Sequence, residues 1–143
     1  MEYDSYSAKE TFEIGRKLGE NVKRGDILCL NGDLGVGKTV FSQGFACGMG
    51  ITEPISSPTF TIVQTYEEGD MPLYHFDVYR IGSIEEMEEI GYEDYFFGEG
   101  VCLIEWSENI HEIIPDDAIQ VTITKDFDKG FDYRKIYVRD NQE

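Results

Sequence analysis

Apolar positions recur at helical intervals soon after a polar start. Phe12, Gly15, Leu18 and Val22 fall on one face, and the spacing predicts a helix over 8–22. Ser7, with Glu10 three residues on, has the pattern of a capping box at its entrance. After a turn at Gly25-Asp26, the run Ile27-Leu28-Cys29-Leu30 reads as a short buried strand. Val40, Phe41, Phe45 and Met49 then mark a second helix, which Gly48 and Gly50 help to end. Residues 59–66 and 73–79 are rich in β-branched and aromatic side chains and read as strands. Their connector is too short for a parallel crossover, so the two should pair antiparallel. A short acidic helix is expected over 84–90, with Ser83 and Glu86 as a second capping box. A buried strand over 101–104, a helix over 108–114 stopped by Pro115, and a hairpin of 118–124 with 132–138 complete the pattern. The sum is α/β: a mixed sheet with a parallel core around the strands ending near Leu30 and Ile104, antiparallel hairpins attached, and helices flanking it.

Composition narrows the class. With 143 residues, 41% of them hydrophobic and 29% charged, the chain suits one globular domain spanning 1–143. Twenty-nine acidic residues against 12 basic ones give a net charge of −17. Proteins that grip a phosphate backbone unaided carry a basic patch, and none stands out, which argues against autonomous nucleic-acid binding. An acidic surface favours solubility and suits a basic protein partner. Cys29, Cys47 and Cys102 are scattered, without a Cys-x-x-Cys pair, and the polar first ten residues resemble no targeting segment. A reducing, cytoplasmic setting is expected, and no apolar run approaches the ~18 residues of a membrane span. His75 and His111 lie far apart with no cysteine companions, so no zinc site is expected, and His75 reads as a strand residue packed against a sheet face.

The strongest chemical signal is Gly32-Asp33-Leu34-Gly35-Val36-Gly37-Lys38-Thr39, a full match to G-x-x-x-x-G-K-[ST]. Glycines let the backbone approach an anion and turn its N–H groups toward phosphate oxygens. The helix that follows directs its positive end at the same point. Asp33, Leu34, Gly35, Val36, Gly37, Lys38, Thr39 and Val40 are therefore the expected phosphate-binding segment. Lys38 would neutralise the β- and γ-phosphates, and the Thr39 hydroxyl would ligate Mg²⁺. The expected fold becomes P-loop NTPase-like, with ATP/ADP and Mg²⁺ as cofactors. Adenine is favoured by elimination, because no Asn-Lys-x-Asp guanine signature is present.

Such a loop needs acidic groups at neighbouring strand ends. Glu105, after the uniformly apolar 101–104, has the Walker-B type position; Asp77, after Leu73-Tyr74-His75-Phe76, is the second candidate, although Arg80 could simply pair with it. Ser56-Ser57-Pro58-Thr59-Phe60-Thr61 reads equally as a phosphate-sensing loop or as a polar turn. Three activities stay open on these residues alone: a partner-dependent ATPase, a small-molecule kinase, and a nucleotide-gated binding module. A kinase usually needs an arginine-bearing lid, and this chain has five arginines with no arginine-rich insertion.

Taken together, the 32–39 loop, Ser57-Pro58-Thr59-Phe60-Thr61, Leu73-Tyr74-His75-Phe76-Asp77-Val78-Tyr79-Arg80 and Ile104-Glu105-Trp106 resemble the TsaE family in identity, order and spacing. The likeness covers about 7–115 well and the final hairpin loosely. It implies an ATPase that works with TsaD and TsaB in making threonylcarbamoyladenosine at tRNA adenosine 37, touching tRNA only through that complex. It also implies Thr39 and Glu105 as the Mg²⁺ ligands, Gly35, Gly37 and Lys38 on the phosphates, and Asp77 near the attacking water. Lys38, Asp77 and Glu105 would then be the catalytic set, Thr59 and Thr61 part of a mobile loop, and Ser7 and Arg134 close to base and ribose. One departure is visible: Ser107 follows Trp106 where family members often have proline.

Overall fold

A computed structural model describes residues 1–33, 35–56, 58 and 61–140. Leu34, Ser57, Thr59 and Phe60, all named above, lie outside the described residues.

Seven strands form one sheet: β1 (Glu2–Ser5), β2 (Ile27–Asn31), β3 (Val63–Tyr66), β4 (Leu73–Asp77), β5 (Val101–Glu105), β6 (Ile119–Lys125) and β7 (Arg134–Arg139). Their spatial order is β1-β7-β6-β2-β5-β4-β3. The four central strands, β6, β2, β5 and β4, run parallel; β3 on one margin and β7 on the other run against them, and β1 pairs antiparallel with β7 and so runs with the core. The expected mixed sheet is thus observed, including the parallel β2–β5 pair and both hairpins.

Alternation sends successive side chains to opposite faces. Leu28, Leu30, Leu103, Val121 and Ile123 face α1 (Ala8–Asn21) and α2 (Lys38–Gly48). Ile27, Cys29, Phe76, Cys102 and Ile104 face α3 (Ile84–Glu89), α4 (Tyr92–Phe96) and the 3-10 segment Ser107–Ile113. No helix among the described residues is long and apolar enough to cross a membrane.

The first helix starts as its capping pattern predicts. The Glu10 N–H donates to Ser7 Oγ at 3.1 Å, and Glu10 Oε1 accepts from the Tyr6 N–H at 3.2 Å, one residue before the usual return partner. The second box is only half formed: Ser83 makes no side-chain cap, whereas Glu86 Oε1 accepts from the Gly82 N–H. Of the expected strand over 59–66, Val63–Tyr66 is a strand while Thr61 and Ile62 lie in a turn before it, and the expected helix over 108–114 is of the tighter 3-10 type. β1 and α4 were not anticipated. β1 is a polar edge strand, and its register is fixed by β7 rather than by an apolar face of its own.

The helix pair packs through backbone. Gly15 and Gly19 of α1 meet Gly44 and Gly48 of α2, and a Cβ on any of the four would come within 2.4 Å of a carbonyl oxygen on the other helix. Gly48 therefore serves close approach, and Gly50, with φ of +88°, is the residue that turns the chain after the helix.

Candidate functional site

The 32–39 loop leaves the carboxyl end of β2 and enters α2 directly. Gly35 and Gly37 take φ of +77° and +107°, values that L side chains adopt only under strain. Gly37 is the N-cap of α2 and supplies no capping side chain, so the first turn presents its N–H groups to an external acceptor. Val36 is buried under the loop, and its N–H donates to the Asp33 carbonyl at 3.3 Å. From β7, Arg134 Nε donates to the Val36 carbonyl at 2.8 Å while its Nη1 donates to the Phe131 and Tyr133 carbonyls. Arg134 thus braces the loop against the β6–β7 connection.

Lys38 is buried, with its Nζ 4.3 Å from the centroid of the Trp106 ring. A cation over an indole face gains about 0.5–2 kcal/mol, somewhat less than a charge-assisted hydrogen bond, which gains about 1.5–3 kcal/mol. Trp106 follows β5 in a left-handed conformation, φ +66°, and Tyr79 packs against its ring at 4.9 Å. Ile62 also has a positive φ, +69°, an outlier for a β-branched residue; it lies where the 56–61 segment enters β3, and its carbonyl accepts from the Asp77 N–H.

Register brings the acidic candidates together. Glu105 lies beside Leu30 on one side and beside Asp77 on the other, at the carboxyl ends of three adjacent parallel strands. By alternation both carboxylates point to the face carrying α2. Asp77 Oδ1 accepts from the Tyr79 N–H at 3.0 Å. Glu105 Oε2 meets His75 Nε2 at 2.9 Å, in surroundings where the imidazole is 2% exposed. The sequence pattern reads His75 as a packed strand residue; its contact with a carboxylate 30 positions away is tertiary and has no local signature.

The remaining candidates are also placed. Thr39 and Asp33 are exposed, and Val40 is half-buried on the first turn of α2. Ser7 caps α1 directly after β1, whose Ser5 pairs with Arg134, the residue that contacts the loop through the Val36 carbonyl. Thr61 is exposed just ahead of β3. Among the described residues, no cluster of three or more His, Cys, Asp or Glu side chains could hold a metal by itself. A cleft of about 480 Å³ lined in part by Lys17, Asn21, Asp26 and Asp117 opens at the other end of the parallel strands, remote from the loop.

A strand–glycine loop–helix unit, faced by carboxylates on neighbouring parallel strands, defines a mixed α/β protein organised around a glycine-rich turn at the carboxyl end of its parallel strands. The model of the TsaE family, threonylcarbamoyl adenosine biosynthesis protein TsaE, matches residues 5–136, and the chain belongs to that family. The tRNA threonylcarbamoyladenosine biosynthesis protein TsaE of Bacillus subtilis (strain 168) is 44% identical over 136 residues, covering 95% of this chain and 83% of that protein. Its namesake from Treponema pallidum (strain Nichols) is 40% identical over 119 residues, 83% of this chain and 87% of the relative. The crystal structure of Bacillus subtilus YdiB superposes with a TM-score of 0.83 at 38% identity, covering 99% of this chain and 86% of that one.

Proposed function

We propose that this chain is the Mg-dependent ATPase of threonylcarbamoyladenosine biosynthesis, acting in the cytoplasm with TsaD and TsaB on tRNA adenosine 37. Membership of the TsaE family supports the pathway. The single observation that supports nucleotide chemistry is the convergence of Lys38, at the start of α2, with Glu105 and Asp77 at the ends of strands adjoining the loop.

The loop N–H groups and Lys38 bind the phosphates of ATP or ADP, and Lys38 exchanges the Trp106 ring for phosphate oxygens. Thr39 and Glu105 are the groups that would hold Mg²⁺, which when bound offsets charge on the phosphate oxygens. Asp77, oriented by the Tyr79 N–H, lies next to Glu105 and orients the attacking water. Ser7 and Arg134 border the base and ribose. The net charge of −17 leaves tRNA to be held by the partners.

Hydrolysis is slow alone and rises when TsaD and TsaB complete the site; a charge-stabilising group supplied by a partner can contribute ~10³–10⁵ in rate. The test is Mg-dependent ATP turnover with and without both partners. Strong stimulation is expected, and equal rates would sink partner dependence. Lys38→Ala should lower nucleotide affinity at least ~100-fold by removing a charge-assisted contact worth about 3 kcal/mol. Unaltered binding would move the phosphate site elsewhere.

A further inference from the structure

Two carboxylates side by side at strand ends repel unless each is held. Asp77 is held by the Tyr79 N–H, and Glu105 by His75. His75 lies two residues before Asp77 on β4, on the same face, and pairs in register with Leu103, two residues before Glu105 on β5. The imidazole therefore reaches diagonally forward to Glu105 Oε2 from beneath the site, at 2.9 Å. A carboxylate oxygen accepts, so Nε2–H donates. The other ring nitrogen, Nδ1, is buried without a hydrogen-bond partner. A proton on Nδ1 would leave an orphaned donor in the interior, whereas a bare lone pair there costs less. The surroundings thus select the tautomer that donates to Glu105. Among the described residues, no protein hydrogen bond occupies Glu105 Oε1.

We propose that His75 is a positioning residue for Glu105: its Nε2–H pins Oε2 and leaves Oε1 presented toward the bound Mg-nucleotide. The inference rests on the nucleotide reading above and adds a residue to it. A glutamate side chain has three torsions to fix. One buried, charge-assisted hydrogen bond fixes the carboxylate before any ligand arrives, so less ordering is left to oppose metal uptake. Loss of such a supporting bond typically lowers metal affinity 10–100-fold while sparing contacts made by other groups.

The test separates metal from nucleotide. Binding of ADP is followed calorimetrically in the wild type, His75→Leu, His75→Asn and His75→Gln, in chelator and across a Mg²⁺ titration, with thermal melts as the check on folding. In chelator, all four should bind ADP within about twofold of one another, since the loop and Lys38 are untouched. The Mg²⁺ concentration for half-maximal enhancement should rise about 10–100-fold in His75→Leu. It should return close to the wild-type value in His75→Gln, whose amide nitrogen can occupy the place of Nε2. His75→Asn is polar but too short to reach Glu105; it should behave as His75→Leu and serves in its place if leucine prevents folding. Leucine and asparagine variants that titrate Mg²⁺ like the wild type would overturn the inference and leave the nucleotide reading standing. Equal losses with and without Mg²⁺ would also overturn it, because His75 would then support the fold alone. A wild type that binds no nucleotide, or binds it without metal dependence, would sink both.

Discussion

The two faces of the sheet are held by different means. On the α1–α2 face, the helices cross through four glycines, and backbone lies against backbone. On the other face, Phe76 meets Tyr95 and Phe96 edge to ring, Tyr92 meets Phe96 in the same edge-on way, and short helices hang on interdigitated side chains. Aromatic and aliphatic side chains can repack around a small change, whereas a carbonyl oxygen in a helix cannot retreat without breaking its own ladder. The candidate site lies on the glycine-packed face: Lys38 begins α2, and Glu105, Asp77 and His75 point toward that face. Rigid support thus falls where charged groups must hold position, and adaptable packing falls away from it.

The sharpest way to break the comparison is one added methyl on the helix crossing. In Gly44→Ala the new Cβ would lie 2.0 Å from the Phe12 carbonyl oxygen, so α1 must shift. The expected cost is about 3 kcal/mol, at the upper end of overpacking, with weaker nucleotide binding because α2 carries Lys38. A melt and a binding isotherm measure both. On the opposite face, Ile104→Val should cost about 1 kcal/mol and leave nucleotide affinity unchanged. Equal effects of the two substitutions on affinity would erase the distinction between the faces.

Thiol chemistry compares them more gently. Cys29 and Cys102 lie within the side-chain-packed layer, and Cys47 is exposed on α2. Burial raises the Cys29 thiol and pushes Cys102 up to about 12, with Cys29 a smaller contributor. In mildly alkaline buffer a thiol reagent should modify Cys47 promptly and the other two only as that layer opens; denaturant should expose all three. Prompt reaction of all three in the native protein would show the layer to be loose.

The smallest effect concerns the margin where β1 meets the β6–β7 connection. Tyr133 donates to Asp4 Oδ1 at 2.5 Å, which raises the phenol and, with Lys135 next in effect, lowers the carboxyl. The tyrosine contribution is full below its ordinary value of about 10 and is lost as pH rises through the raised folded value. The aspartate contribution is full above its ordinary value of about 4 and is lost as pH falls through the lowered one. The gap in melting temperature between wild type and Tyr133→Phe should therefore be widest at intermediate pH and narrow toward both extremes. A constant gap would mean that the two groups do not share that bond.

What could be read from the chain follows the same division. The loop, β2, β5, α1 and α2 announce themselves in contiguous residues, because a helical period, an apolar run or a glycine pattern is a local signal. The polar margin strand Glu2–Ser5 has no apolar alternation, and only β7 makes it a strand. Gly44 passes for a weak helix position, and Gly48 for a helix stop, until α1 is seen against them. Glu105 and Asp77 were legible as strand-end acids, but their adjacency depends on strand order, and the bond from His75 depends on register. Local chemistry is written in neighbours, while support for it is written in partners that only folding brings close.

The indole of Trp106 has one further consequence. It is the chain's sole tryptophan, and the ammonium that would meet phosphate rests over its face. Light absorbed by indole in this protein is absorbed beside that one lysine, so departure of the charge should change the emission colour and yield without any attached dye. The protein carries its own optical gauge of whether the loop is engaged, and titrating phosphate ligands against that emission would read the gauge directly.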